Sequence, residues 1–193
     1  MTIYQKTAGK IHYFLAKRFY GAFGKGSILI HPFMIYNRKN IFIGKNVFFR
    51  NGLRIEPITK HDNQRFNPKI IIEDNVHAEQ CCQIICTNKV HIEKGVVLSS
   101  YVYISDTKHT FNDMEKNVLR QDLISSQIKI GEGSFLGIGV KVICGVSIGK
   151  HVVIGANSVV TKDIPDYCMA VGTPAQIIKK YNFMSMRWEE IYE

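Results

Sequence analysis

His109 is the side chain of this sequence best suited to acid–base work. It stands in "DTKHTFNDMEKNVLRQDLISSQ", residues 106–127, a polar stretch with charges of both signs. An imidazole titrates near neutrality, as a general base at physiological pH requires. Asp106, three residues earlier, has the right type to orient the ring or to neutralise a developing imidazolium. Both have a plainer reading as solvated loop groups. The setting favours chemistry at His109, because the stretch interrupts a scaffold that is otherwise periodic. The five cysteines, Cys81, Cys82, Cys86, Cys144 and Cys168, are odd in number and have no framework spacing. They read as reduced thiols used as small buried hydrophobes. A metal centre would need convergent histidines from among His77, His91, His109 and His151, and no paired loop histidines are seen, so no metal is expected.

The scaffold is clearest over 130–160. Aliphatic side chains recur at Ile130, Leu136, Val142, Ile148, Ile154 and Val160, a constant step of six. Small or β-branched residues follow at Ser134, Val140, Val146, Val152 and Ser158, and Gly131, Gly137, Gly149 and Gly155 sit directly after an aliphatic. Six fits neither the 3.6 period of a helix nor one flat strand. It fits a three-sided coil in which each hexad is one short strand and one corner, the architecture of a parallel β-helix. The same step appears at Ile43, Phe49 and Ile55, then at Ile72, Ala78 and Ile84, and after a two-residue slip at Ile92, Leu98 and Ile104. Residues 56–69 and 106–127 read as excursions out of the coil. Long polar loops on a rigid frame are where recognition concentrates.

Three segments follow: a helical cap over 1–26, the β-helix over 27–165, and a tail over 166–193 ending in a short helix. Ile11, Phe14, Leu15, Phe19 and Phe23 are spaced for one helical face, beside Lys10, Lys17 and Arg18. The cap covers the open end of a solenoid; a basic amphipathic helix against a membrane or a lipid-linked acceptor is the sharper option. The 193 residues suit one domain. A formal charge of +9 suits an anionic ligand or membrane surface. Without a recognised motif or Arg cluster, nucleic acid is not expected. No apolar run is long enough to span a bilayer, and Lys10, His12, Lys17 and Arg18 break any signal-peptide core. A cytoplasmic protein is expected, with the inner membrane face as the alternative address.

The hexads of 130–160, the loop "ISDTKHTF" at 104–111, "GANSVVTKDIP" at 155–165 and "GTPAQIIKK" at 172–180 together resemble the hexapeptide-repeat acyltransferases of left-handed β-helix fold. The closer resemblance is to the sugar and polysaccharide O-acetyltransferases. It covers most of the chain from about residue 20. It implies acetyl-CoA as donor, a sugar or lipid-linked oligosaccharide as acceptor, direct transfer in surface-polysaccharide biosynthesis, and a homotrimer, the simplest closed ring for a three-faced prism. It places the catalytic base at His109. Phe135, Gly137, Gly155, Ala156, Thr161, Lys162 and Lys179 match positions that line the CoA groove. Cys81, Tyr101 and Tyr103 fall at acceptor positions. Where relatives have a paired-histidine loop this chain has Asp106-Thr107-Lys108-His109, and where some galactoside relatives have Asn it has Cys81. N-acetylation of an amino sugar is the near rival. A zinc enzyme on the same prism needs three histidines at one metal, and a silent scaffold predicts no affinity for acetyl-CoA.

Overall fold

The computed structural model describes residues 17–191. Most of the expected helical cap therefore lies outside the described residues; residues 17–19 are helical, and the first strand, Ala22–Phe23, falls inside the stretch expected to be cap. Three sheets with parallel coil strands wrap a single core. The first face stacks Ala22–Phe23, Ile41–Ile43, Lys69–Ile72, Lys89–Ile92, Ile128–Ile130 and Ser147–Ile148. The second runs from Ile28–Leu29 through Phe48–Phe49, His77–Ala78, Val97–Leu98, Phe135–Leu136 and Val153–Ile154 to Cys168–Gly172. The third stacks Met34–Ile35, Arg54–Pro57, Gln83–Cys86, Tyr103–Ser105, Lys141–Val142 and Val159–Val160.

The hexad explains this shape. Side chains alternate across a strand, so a two-residue strand sends one outward and one inward. The inward residues are the periodic aliphatics. On the first face Ile43 pairs with Ile72, Ile72 with Ile92, Ile92 with Ile130 and Ile130 with Ile148, all buried. Phe49, Ala78, Leu98, Leu136 and Ile154 do the same on the second face, the large Phe49 lying beside the small Ala78. Full burial of each such aliphatic is worth about 1.5–3 kcal/mol, and here it recurs at every coil.

Some corners are tied by a buried serine in place of the usual valine. Ser134 Oγ donates to Gly149 O at 2.8 Å and accepts from Val152 N–H at 3.0 Å, tying one coil to the next. Ser27 does the same with Gly44 O and Val47 N–H. The first and second corners of each coil also place one residue at positive φ. At Gly133 (φ 67°) a Cβ would stand 2.7 Å from the His151 ring, so glycine is required there for space as well as conformation.

The slip and the two excursions all leave the third corner, between the third face and the next coil's first face. The slip at 86–88 explains why Ile72 pairs with Ile92 rather than with residue 90. The first excursion is a hairpin, Lys60–His61 against Gln64–Arg65, turning at Asp62 (φ 45°). The second is a ribbon, Thr107–His109 against Leu123–Ser125, joined through a 3-10 turn at Val118–Arg120.

The tail differs from its expectation. In place of a terminal helix, Arg187–Glu190 is a strand antiparallel to Ala175–Asn182, which itself pairs with Cys168–Gly172. Cross-strand partners decide it: Lys180 faces Glu189, Lys179 faces Glu190, and the Tyr181 and Trp188 rings meet edge-on at 5.5 Å. Asn182 Oδ1 accepts from Met184 N–H and Ser185 N–H, which turns the chain between them. A stretch with weak helical periodicity takes the partner strand that the solenoid offers.

Candidate active site

His109 ends the inner strand of the second ribbon, outside the coil and half-buried. Its Nδ1 is buried and has no hydrogen-bond partner among the described residues. A buried polar atom left unpaired costs about 1–3 kcal/mol, so such an atom points to a ligand or a neighbouring chain as its partner. The ring of His61, from the first hairpin, meets the His109 ring at 5.3 Å and 72°, edge to face. His61 Nε2 lies 3.0 Å from the Gln121 carbonyl and donates to it. Two histidines from separate excursions therefore meet at the third corner.

Asp106 lies elsewhere in this arrangement than the sequence suggests. It is fully buried, and its carboxylate faces back into the coil. It accepts from Thr87 N–H at 2.8 Å, Asn88 N–H at 2.8 Å, Thr87 Oγ1 at 3.2 Å and Cys86 Sγ at 3.2 Å. Every one of these partners lies in residues 86–88, where the repeat slips. Asp106 thus fastens the irregular corner from which the His109 ribbon departs. The ribbon re-enters beside it, with Ser126 N–H donating to the Asp106 carbonyl. Burial, reinforced by the Asp106 charge, pushes the Cys86 thiol pKa up, so that neighbour remains a thiol.

The remaining sequence candidates divide between corners. Gly137, Gly155 and Ala156 lie together at the second corner. A Cβ on Gly137 would come 2.8 Å from Ala156 N, and one on Gly155 would come 2.6 Å from Val171 Cγ1, so both glycines are needed for coil stacking whatever else they do. Cys81 (φ 58°) and Tyr101 (φ 62°) occupy the left-handed position of the same corner, lower in the stack. Phe135 projects from the second face just before this corner and Tyr103 from the third face just after it. Thr161 and Lys162 are exposed at the third corner, above the His109 ribbon. Lys179 is on the tail hairpin, 3.6 Å from Glu190. Within one chain, then, the second-corner residues are separated from His109 by the width of the third face. Among the described residues no cluster of three metal-ligating side chains exists.

His61 and Gln64, within the 56–69 excursion expected to carry recognition, are given no individual role by the sequence. The available signal was position: both long excursions interrupt the repeat at the same corner, and each carries a histidine.

Comparison with known proteins agrees with this geometry. The family described as bacterial transferase hexapeptide (six repeats) matches residues 127–162. WbbJ of Escherichia coli K12, named as an O-acetyl transferase of lipopolysaccharide biosynthesis, is 34% identical over 170 residues, covering 84% of this chain and 83% of its own. Among solved structures, a maltose O-acetyltransferase from Clostridium difficile is 27% identical, with a TM-score of 0.59 over 92% of this chain and 84% of that one. AntD, an N-acyltransferase from Bacillus cereus solved with dTDP and coenzyme A, shares the fold at 19% identity, with a TM-score of 0.73 over 86% of this chain and 87% of its own. The chain belongs to the hexapeptide-repeat acyltransferase family, and within it to the acetyltransferases.

Proposed function

We propose that this protein transfers the acetyl group of acetyl-CoA to a sugar hydroxyl during surface-polysaccharide assembly, with His109 as general base. The observation that carries the reading is His109 itself. It is an imidazole on a ribbon outside a rigid coil, with a buried ring nitrogen that has no partner among the described residues. The imidazole takes the proton from the acceptor O–H as that oxygen attacks the thioester carbonyl carbon. A backbone N–H holds the oxyanion of the tetrahedral intermediate. Collapse breaks the C–S bond, and the sulfur of CoA leaves with the proton that the imidazolium returns. No covalent acetyl-enzyme forms.

The coil is left-handed in this reading, as in the family, and three chains pack side by side. Phe135, Ile138 and Ile143, exposed by 43%, 47% and 38%, are apolar side chains that such packing would cover. The donor lies along Phe135, Gly137, Gly155 and Ala156 of one chain, with Thr161, Lys162 and Lys179 toward its phosphates. His109 comes from the neighbour. Cys81, Tyr101 and Tyr103 line the acceptor side. Among the described residues no helix is long and apolar enough to cross a membrane. The work fits the cytoplasmic face, where a lipid-linked acceptor would be within reach.

The fold shared with AntD favours one second reading, transfer to an amine on a nucleotide-linked sugar. Assays with hydroxyl and amino sugars side by side, read by free-thiol release, separate the two. In the same assay His109→Ala is expected to lose about 10²–10⁴-fold in turnover while still binding acetyl-CoA. Full turnover in His109→Ala would overturn the assignment of the base.

A further inference from the structure

We infer that the first excursion is a clamp that fixes the His109 ribbon, with Gln64 and His61 as positioning residues. The ribbon has three rungs, Thr107 with Ser125, Lys108 with Ile124 and His109 with Leu123, and it stands outside the coil. A two-stranded ribbon of that length is marginal in water and does not hold a side chain to a fraction of an ångström alone. At the His109 rung the ladder bond lies beyond the pair, where Thr110 N–H donates to Asp122 O at 2.8 Å. Backbone polarity alternates along an antiparallel strand, so the N–H and C=O of Leu123 face away from His109. Gln64 takes both. Leu123 N–H donates to Gln64 Oε1 at 2.7 Å, and Gln64 Nε2 donates to Leu123 O at 3.2 Å. Two residues earlier on the same edge, the Gln121 carbonyl accepts from His61 Nε2.

His61 and Gln64 are cross-strand partners in their hairpin, so both side chains leave the same face of it. Together they substitute for a third strand along the edge of the ribbon that bears the base. His61 in addition braces the His109 ring edge-on. The Asp62–Arg120 pair beside them, 3.2 Å and exposed, adds little. The clamp joins two segments that are remote in sequence, and it acts on the residue directly opposite His109.

Its kinetic consequence rests on the reading of His109 as base; its structural consequence does not. In Gln64→Ala, amide exchange at Leu123 and across 107–109 is expected to quicken, with the coil amides and the thermal midpoint little changed. Turnover is expected to fall about 10–100-fold with KM for acetyl-CoA within about twofold, because small misplacements of a reacting group cost that much. Gln64→Glu keeps the acceptor for Leu123 N–H and should fall between. His61→Gln keeps a donor near the Nε2 position and should recover part of what His61→Ala loses. Unchanged exchange at Leu123 in Gln64→Ala overturns the clamp. Exchange that quickens without loss of turnover, while His109→Ala is inactive, overturns its role in positioning. If His109→Ala remains active, the base assignment has failed and the exchange result still decides the clamp.

Discussion

Asp106 and His109, three residues apart, have unlike environments, and that difference sets what each substitution does. The Asp106 carboxylate satisfies two backbone N–H groups of the 86–88 slip and is fully buried. Asp106→Ala leaves those two donors without an acceptor, and a loss of about 2–6 kcal/mol in stability is expected, from about 1–3 kcal/mol per buried unpaired group. Chemical denaturation of Asp106→Ala and His109→Ala measures the contrast, since His109→Ala should be near neutral; equal stabilities would remove Asp106 as the fastener of that corner. Cys82 makes a second residue-scale prediction. Burial pushes its thiol from 9.0 up to about 12. A folded pKa above the unfolded one contributes stability that is complete below about pH 9 and is lost as pH rises towards 12, by about 1.4 kcal/mol per pH unit. The alkaline fall in thermal midpoint should therefore flatten in Cys82→Ala; parallel curves for the two proteins would remove Cys82 as a cause. The excursion that carries His109 was legible in the sequence because it breaks a repeat. The part played by Asp106 was not, because a carboxylate's partners depend on which way the chain leaves the corner.

At the scale of elements, the six-residue step determined the coil and the corner serines confirmed its spacing. Ser134 bridges successive coils through Gly149 O and Val152 N–H, and it is fully buried. Ser134→Ala should cost about 1–3 kcal/mol by stranding a buried N–H, whereas Ser→Ala at the exposed Ser185 should be close to neutral. Urea midpoints of the two variants test this, and similar values would mean that the serine is only a small filler. The periodic aliphatics could be read in advance because each inward position repeats one chemical demand. Register could be read only in part. The Ile72–Ile92 pairing follows from the slip, but the folding of the excursions into hairpins that dock on one another depends on side-chain amides meeting backbone edges over a separation of about sixty residues, as between Gln64 and Leu123. No local pattern encodes such a contact. The tail was misread for the same reason: Trp188 and Tyr181 select a strand only once the sheet beside them exists.

At the scale of the molecule, the separation of the candidate residues between two corners gives the sharpest expectation. If the donor groove of one prism is completed by His109 of the next, each site in a cyclic trimer draws on two chains. His109→Ala should then inactivate a site through one chain. Ala156→Trp, at the exposed second corner, should inactivate it through the other by filling that groove. Each homotrimer should be inactive. Unfolding and refolding an equal mixture scatters the two variants among trimers, and a site then has intact halves only when a chain with native His109 faces a chain with native Ala156. For random assortment that is about one site in four, so about a quarter of wild-type turnover should return. A site contained within one chain predicts no recovery at any mixing ratio. The outcome is read by thiol release with the same acceptor for all samples, after light scattering has verified that mixed and unmixed samples have the same mass. Return of activity would also explain why Phe135, Ile138 and Ile143 project apolar surface from an otherwise well-filled prism. In that arrangement they border the line along which the neighbouring prism closes to bring His109 to the thioester.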